Sequence, residues 1–120
     1  LSLVSFGFKH GIPLDVDMVW DVRFLPNPHW EEHLRELSGL DDAVKSFTVE
    51  QPLAQEFLVK SQGMLEFLLP AYKAEGKSYL TIAIGCTGGR HRSVAVTEAI
   101  GSWLAANGLQ PRITHRDIFR

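Results

Sequence analysis

A single cysteine among 120 residues leaves no partner for an internal disulfide and fits a reducing, cytoplasmic setting. No apolar run approaches the roughly 18 residues that a membrane-spanning helix needs, and no charged segment precedes an apolar core as in a secretory leader, so no membrane partner is expected. Neither sign of charge dominates. With 12 basic and 14 acidic residues the net charge is −2, so no global positive field draws nucleic acid, and RNA contact has to come from a local basic patch or from several copies together. Metal-ligand spacing is scarce: His29 and His33 flank Glu32, but no third ligand stands near, and neither a metal nor another cofactor is expected. Repeats and low-complexity stretches are missing as well. The chain opens at Leu1 without methionine, directly in strand-like sequence, and is expected to be one domain, residues 1–120, cut from a longer protein.

The pattern that is present alternates strands with helices. Leu1–Phe6 reads as a strand, with Gly7 and Gly11 bracketing the turn Phe8-Lys9-His10. Met18–Phe24 reads as a second strand, and Pro26, Asn27 and Pro28 stop it. Residues 25–41 form a long irregular excursion with a helical turn near Glu31–Arg35, and a short helix capped by Asp41 or Asp42 ends near Thr48. Leu53, Phe57, Met64, Phe67 and Leu68 mark the buried stripe of a helix from Pro52 to about Ala74, with Gly76 as its C-cap. The aromatic residues Phe57, Phe67, Tyr72 and Trp103 are assigned to the core. Tyr79–Ile84 is apolar throughout, as in a central parallel strand. Residues 92–106 form a helix buried along Val96, Ile100, Trp103 and Leu104, and Gln110–His115 is a last strand. The expected fold is α/β: an open, mainly parallel sheet with flanking helices and its site at the strands' C-terminal edge.

The chemistry concentrates where the central strand meets the next helix, at Gly85-Cys-Thr-Gly-Gly-Arg-His-Arg-Ser93. Backbone N–H groups of a glycine turn and of a helix start point at one spot, and the helix dipole favours an anion there. Arg90, His91 and Arg92 crowded at a helix N-terminus oppose that dipole unless an anion joins them. Arg92 is the natural phosphate fork, Thr87 and Ser93 offer hydroxyls, and the amides of Gly88 to Arg90 form a nest. Lys9 and His10 follow a strand end that reaches the same edge. Asp21 in an apolar strand is costly unless paired, and Arg23 is its nearest partner. Asn27 and His29 are available to touch a sugar hydroxyl or to shape a subunit interface.

Three stretches resemble, nearly residue for residue, the signatures of the RapZ/YvcJ family of bacterial RNase-adapter proteins. They are Ser5-Phe-Gly-Phe-Lys-His-Gly-Ile-Pro13, Asp21-Val-Arg-Phe-Leu-Pro-Asn-Pro-His-Trp30 and the Gly85–Ser93 turn; Ser38-Gly-Leu-Asp41 and Tyr79–Ile84 add to them. The resemblance implies that this is the family's C-terminal domain, similar to a phosphofructokinase subdomain, behind an N-terminal P-loop NTPase-like half. It implies glucosamine-6-phosphate as ligand, homo-oligomers, and small regulatory RNAs and an RNase or signalling protein as partners of the parent. The sugar-phosphate residues it nominates are His10, Cys86, Thr87, Gly88, Gly89, His91 and Arg92, with Arg23, Asn27 and His29 next. Enterobacterial members end in a lysine- and arginine-rich tail, whereas here the RNA candidates are Arg112, Arg116 and Arg120.

Three readings follow. The first is a non-enzymatic sensor and adapter that binds a hexosamine phosphate and regulates amino-sugar metabolism, with no catalytic residue. The second is a small phosphatase, because Cys86, Gly89, Arg92 and Ser93 satisfy the C-x-x-G-x-x-R-S spacing of cysteine phosphatases. Against it, Gly85 stands where most such enzymes carry histidine, and no segment supplies a clear acid. The third is an RNA-binding module in which the ligand site is secondary.

Overall fold

A computed structural model describes all residues from Leu1 to Arg120. Four strands, β1 (Ser2–Gly7), β2 (Met18–Asp21), β3 (Thr81–Cys86) and β4 (Arg112–His115), form one sheet in the order β2-β3-β1-β4. Every pairing is parallel. The three helices are α1 (Asp42–Val49), α2 (Pro52–Glu75) and α3 (Arg92–Ala106). The expected α/β architecture is therefore present. No helix is long and apolar enough to cross a membrane.

Strand β3 lies inside the sheet because Ile82, Ala83 and Ile84 offer apolar groups to both faces, and all three are fully buried. In register with it, Leu3 pairs with Ile82 and Trp20 with Ile84. This face, continued by Cys86, carries the core with Ala54, Leu58 and Leu65 of α2 and Val96, Ile100 and Leu104 of α3. On the other face Phe6 is buried under Phe8, whose ring meets it edge-on at 4.8 Å. Parallel pairing puts all four strand ends, Gly7, Asp21, Cys86 and His115, along one edge.

Several local expectations need correction. In α2 the buried positions are Ala54, Leu58, Ser61 and Leu65, not the stripe from Leu53 to Leu68. Leu53, Met64 and Phe67 are exposed, Phe67 at 71%, so Phe67 is not a core residue. Apolar residues surround this helix, so periodicity alone does not pick a face; the buried face is the one that packs on α3 and joins the core cluster. Phe57 does reach the core margin, 5.9 Å from Trp20 and 5.8 Å from Phe24. Asp41 precedes α1, but its carboxylate accepts the Ser38 N–H at 2.8 Å and caps no helical amide. Strand β2 stops at Asp21 rather than Phe24, because the chain turns where the Leu25 N–H bonds the Val22 carbonyl. The Gly76 cap (φ 93°) and the Arg92–Ala106 helix stand as the sequence implies.

His115, which the sequence leaves without a role, ties strand β4 inward. Its Nδ1 lies 2.7 Å from the buried Ser5 hydroxyl and its Nε2 2.9 Å from a Glu98 carboxylate oxygen on α3.

Candidate anion-binding site

At the C-terminal edge of the sheet lies a cleft of about 480 Å³. Its floor is the turn from Cys86 to Arg92, one wall is the excursion between residues 27 and 36, and Lys9 and Arg120 close the opposite side. The floor is held down tightly. A Cβ on Gly7 would lie 2.3 Å from the Gly88 carbonyl carbon, and one on Gly89 (φ +85°) would lie 2.6 Å from Gly7 N and 2.8 Å from Asp117 Cβ. Beneath them Asp117 is fully buried. Its carboxylate accepts the Gly7 N–H at 2.8 Å and two N–H groups of Arg116 at 3.0 and 2.8 Å, with Arg120 Nε at 3.2 Å.

The wall hangs on the floor through side chains that donate to carbonyls. Arg90 donates to the carbonyls of Leu37, at 3.0 Å, and Glu36. Arg92 Nη1 donates to the carbonyls of Arg23 at 2.8 Å and Leu25 at 3.1 Å. Gly39 packs so closely on α3 that a Cβ there would lie 2.5 Å from the His91 carbonyl oxygen. Inside the wall, Asn27 Oδ1 accepts the His29 N–H at 3.1 Å, and Arg35 Nε donates to the His29 carbonyl at 2.8 Å.

Of the residues nominated from sequence, Lys9, Asn27, His29, Cys86, Thr87, Gly88, Arg90, His91 and Arg92 line this cleft. Arg120, nominated for RNA, lines it too. Others lie elsewhere. Ser93 is fully buried with its hydroxyl accepting the Cys86 thiol hydrogen at 3.1 Å, so it offers nothing to the cleft. Gly89 shapes the floor without lining it, and His10 sits outside with its Nε2 buried and unpartnered. Arg23 is spent on Asp21, at 2.7 Å, and its guanidinium lies 3.9 Å from the Phe8 ring centre. The Arg23 hydrogen bonds, with their charge, hold the Asp21 carboxyl below its usual range. Arg116 is held by Asp117 and by the Gly11 carbonyl, while Arg112 stands exposed on β4. Trp30, the last residue of the Asp21–Trp30 stretch singled out in the sequence, stands on the wall, whereas sequence reading missed Arg35 and Glu36 there and Asp117 below the floor. Only the excursion's length signalled Arg35 and Glu36.

The electrostatics are one-sided. Lys9, Arg35, Arg90, Arg92 and Arg120 line the cleft with one acidic residue, Glu36, in a chain of net charge −2, although Arg120 is already paired with Asp117. Arg92 is 4% exposed; burial works against its charge and lowers its pKa, and its Nε is buried without a partner. Its Nη2 sits 3.3 Å from the Thr87 hydroxyl. A charge so poorly compensated is what an incoming anion relieves.

Gly88 is informative in the opposite way from Gly89. Its φ is ordinary, and a Cβ there would meet only Lys9 Cε at 3.9 Å. The fold does not require glycine at this position, whereas close approach of a ligand to the backbone does. Gly85 bears on the phosphatase reading: a Cβ there would lie 2.4 Å from Phe6 and 2.7 Å from Phe8. The histidine that such enzymes carry has no room.

His91 gives a pH prediction. It is 7% exposed, and its Nε2 donates to the Arg35 carbonyl at 3.1 Å. Burial, only partly offset by the Leu37 and Arg35 carbonyls, holds its pKa below the ordinary histidine value. The fold keeps it neutral while the unfolded chain takes up a proton, so this stability is full above pH about 6.5 and is lost as pH falls. The thermal midpoint should therefore drop from pH 7 to pH 5, and His91→Gln should flatten that slope. An equal slope in the variant would assign the effect to other groups.

Comparison with known proteins gives the family. The family described as RapZ C-terminal domain matches residues 1–119. A nucleotide-binding protein of Trichlorobacter lovleyi is 59% identical over 118 residues, covering 98% of this chain and 41% of that protein. A nucleotide-binding protein of Frankia alni is 54% identical over 119 residues, 99% of this chain and 41% of that protein. The chain thus spans 41% of the length of these relatives. With the match running through the glycine turn, the excursion wall and both interior strands, the chain belongs to the RapZ C-terminal domain family.

Proposed function

We propose that this domain is a ligand-sensing adapter module that binds a phosphorylated hexosamine, glucosamine-6-phosphate by family resemblance, without turning it over. The observation that carries this reading is the pairing of an unforced glycine, Gly88, with five cationic side chains around one cleft at the start of α3. The phosphate lies on the Thr87–Gly88 backbone beside Arg92 and Lys9, and Asn27, His29 and His91, which line the same cleft, orient the sugar. Occupancy then regulates the parent protein, its self-association and its RNA or protein partners in amino-sugar control. RNA contact in this domain rests on Arg112, because Arg116 and Arg120 are paired with Asp117.

The test is ³¹P NMR of glucosamine-6-phosphate with stoichiometric protein. A shifted or broadened ligand signal with no inorganic phosphate is expected. An unchanged signal would refute the site, and an inorganic phosphate peak that Cys86→Ser abolishes would install the phosphatase in its place. Lys9→Ala is the cleaner binding variant than Arg92→Ala, since Lys9 is exposed whereas Arg92 also holds the wall. Losing one charge-assisted bond should weaken binding about tenfold, with the thermal midpoint unchanged.

A further inference from the structure

Trp30 is 75% exposed, whereas Trp20 and Trp103 pack against the core. It stands on the wall of a cleft whose lining is otherwise almost entirely polar. Its backbone is nonetheless firmly held. It closes the short 3₁₀ turn Pro28–Trp30, its N–H bonds the Asn27 carbonyl at 3.2 Å, and Pro28 beneath it is buried. The His29 ring meets the indole edge-on at 5.2 Å and 81°. A large apolar ring held fast but left open to a charged cleft is a platform for a ligand's apolar face. The cleft's 480 Å³ also exceeds what a phosphate group on the glycine turn occupies, so a larger body has room beside the indole.

We infer that Trp30 determines specificity: it receives the C–H face of a ring-form sugar phosphate whose phosphate lies on the Gly88 turn. This rests on the reading of the cleft as a phosphomonoester site. The ring is gripped between indole and glycine turn, with Arg35 and Glu36, which line the same cleft, for its hydroxyl or amino groups. Inorganic phosphate and acyclic phosphates use the turn alone and gain nothing from Trp30.

The experiment is calorimetric titration of wild type, Trp30→Ala and Trp30→Phe with inorganic phosphate, glycerol-3-phosphate, glucosamine-6-phosphate and a nucleoside 5′-monophosphate. Wild type should prefer the hexosamine phosphate over inorganic phosphate by about tenfold or more. Trp30→Ala should lose most of that preference while its affinity for inorganic phosphate stays within about twofold, and Trp30→Phe should keep part of it. Wild-type tryptophan emission should shift with the hexosamine phosphate and not with inorganic phosphate. A Trp30→Ala protein that still prefers the hexosamine phosphate overturns the role of Trp30 and leaves the phosphate site standing. Tighter binding of the nucleotide overturns the assignment to a sugar ring. Failure of every phosphate to bind wild type overturns the site, and this inference with it.

Discussion

Replacing Asp117 by alanine is expected to cost the domain on the order of 3 kcal/mol and to lower its thermal midpoint by about 10 °C. The carboxylate is fully buried and answers three different parts of the chain: the Gly7 amide at the end of β1, Arg116, and Arg120. Alanine leaves the Gly7 N–H buried without its acceptor and strips the partly exposed Arg116 of its counter-charge. Burial works against ionisation of Asp117, but the bonds from Arg116 and the Gly7 N–H outweigh it and hold the carboxyl below its usual range. A carboxyl depressed in the fold contributes stability above its unfolded value near pH 4, and that stability is lost as pH falls through the folded value. Urea titrations from pH 7 down to pH 2 should show a steep acid limb in wild type and a shallower one in Asp117→Asn. A midpoint change of only a degree or two in Asp117→Ala would show that the neighbouring groups find water instead, and the buttress would be superfluous.

The second large effect separates two adjacent glycines. Gly89→Ala should destabilise the domain by about 3 kcal/mol or more, because the position combines positive φ with contacts that cannot give. Its Cβ would meet Gly7 N at 2.6 Å, Asp117 Cβ at 2.8 Å and the Phe6 carbonyl carbon at 2.9 Å. Gly88→Ala should leave stability within about 0.5 kcal/mol, since its Cβ enters open space. It should instead weaken phosphate binding by at least about tenfold, by putting a methyl group where an oxygen must approach the backbone. Chemical denaturation and calorimetry on the two variants check both halves. If Gly88→Ala binds as wild type does, the anion lies elsewhere in the cleft.

Legibility in the sequence followed the range of the interactions. The strand–turn–helix around Gly85–Ser93 was readable because an apolar run, three glycines and a helix start are neighbours in the chain. The helix begins at Arg92, but the strand runs Thr81–Cys86 rather than Tyr79–Ile84, with Tyr79 exposed. The wall was not readable, because what places it is non-local. Arg92 reaches back 67 and 69 residues to the Leu25 and Arg23 carbonyls, and Arg90 reaches 53 to Leu37. No local pattern announces a side chain that will donate to a distant carbonyl. Arg35 and Glu36 were therefore invisible as lining residues, while Asn27, His29 and Trp30 were singled out only as members of a motif. Asp117 looked like an ordinary acidic residue near the chain's end, and its burial depends on Gly7, 110 residues away. The misjudged face of α2 has another cause: apolar residues occupy both sides of that helix, and only its tertiary packing, chiefly on α3, decides between them.

The order β2-β3-β1-β4 makes β1 and β3 the interior strands, and these two deliver Gly7 and the Cys86 turn to the floor of the cleft. Interior strands are as a rule among the last parts of a fold to open, so the floor is expected to persist between ligand encounters. On the proposed reading, capture of an anion needs no opening of that floor, and its on-rate should be set by diffusion and by the cations around the cleft and should fall as salt screens them. Discrimination between ligands falls to the off-rate. If the cleft is the sensor proposed above, its occupancy should follow ligand concentration without waiting for the floor to form.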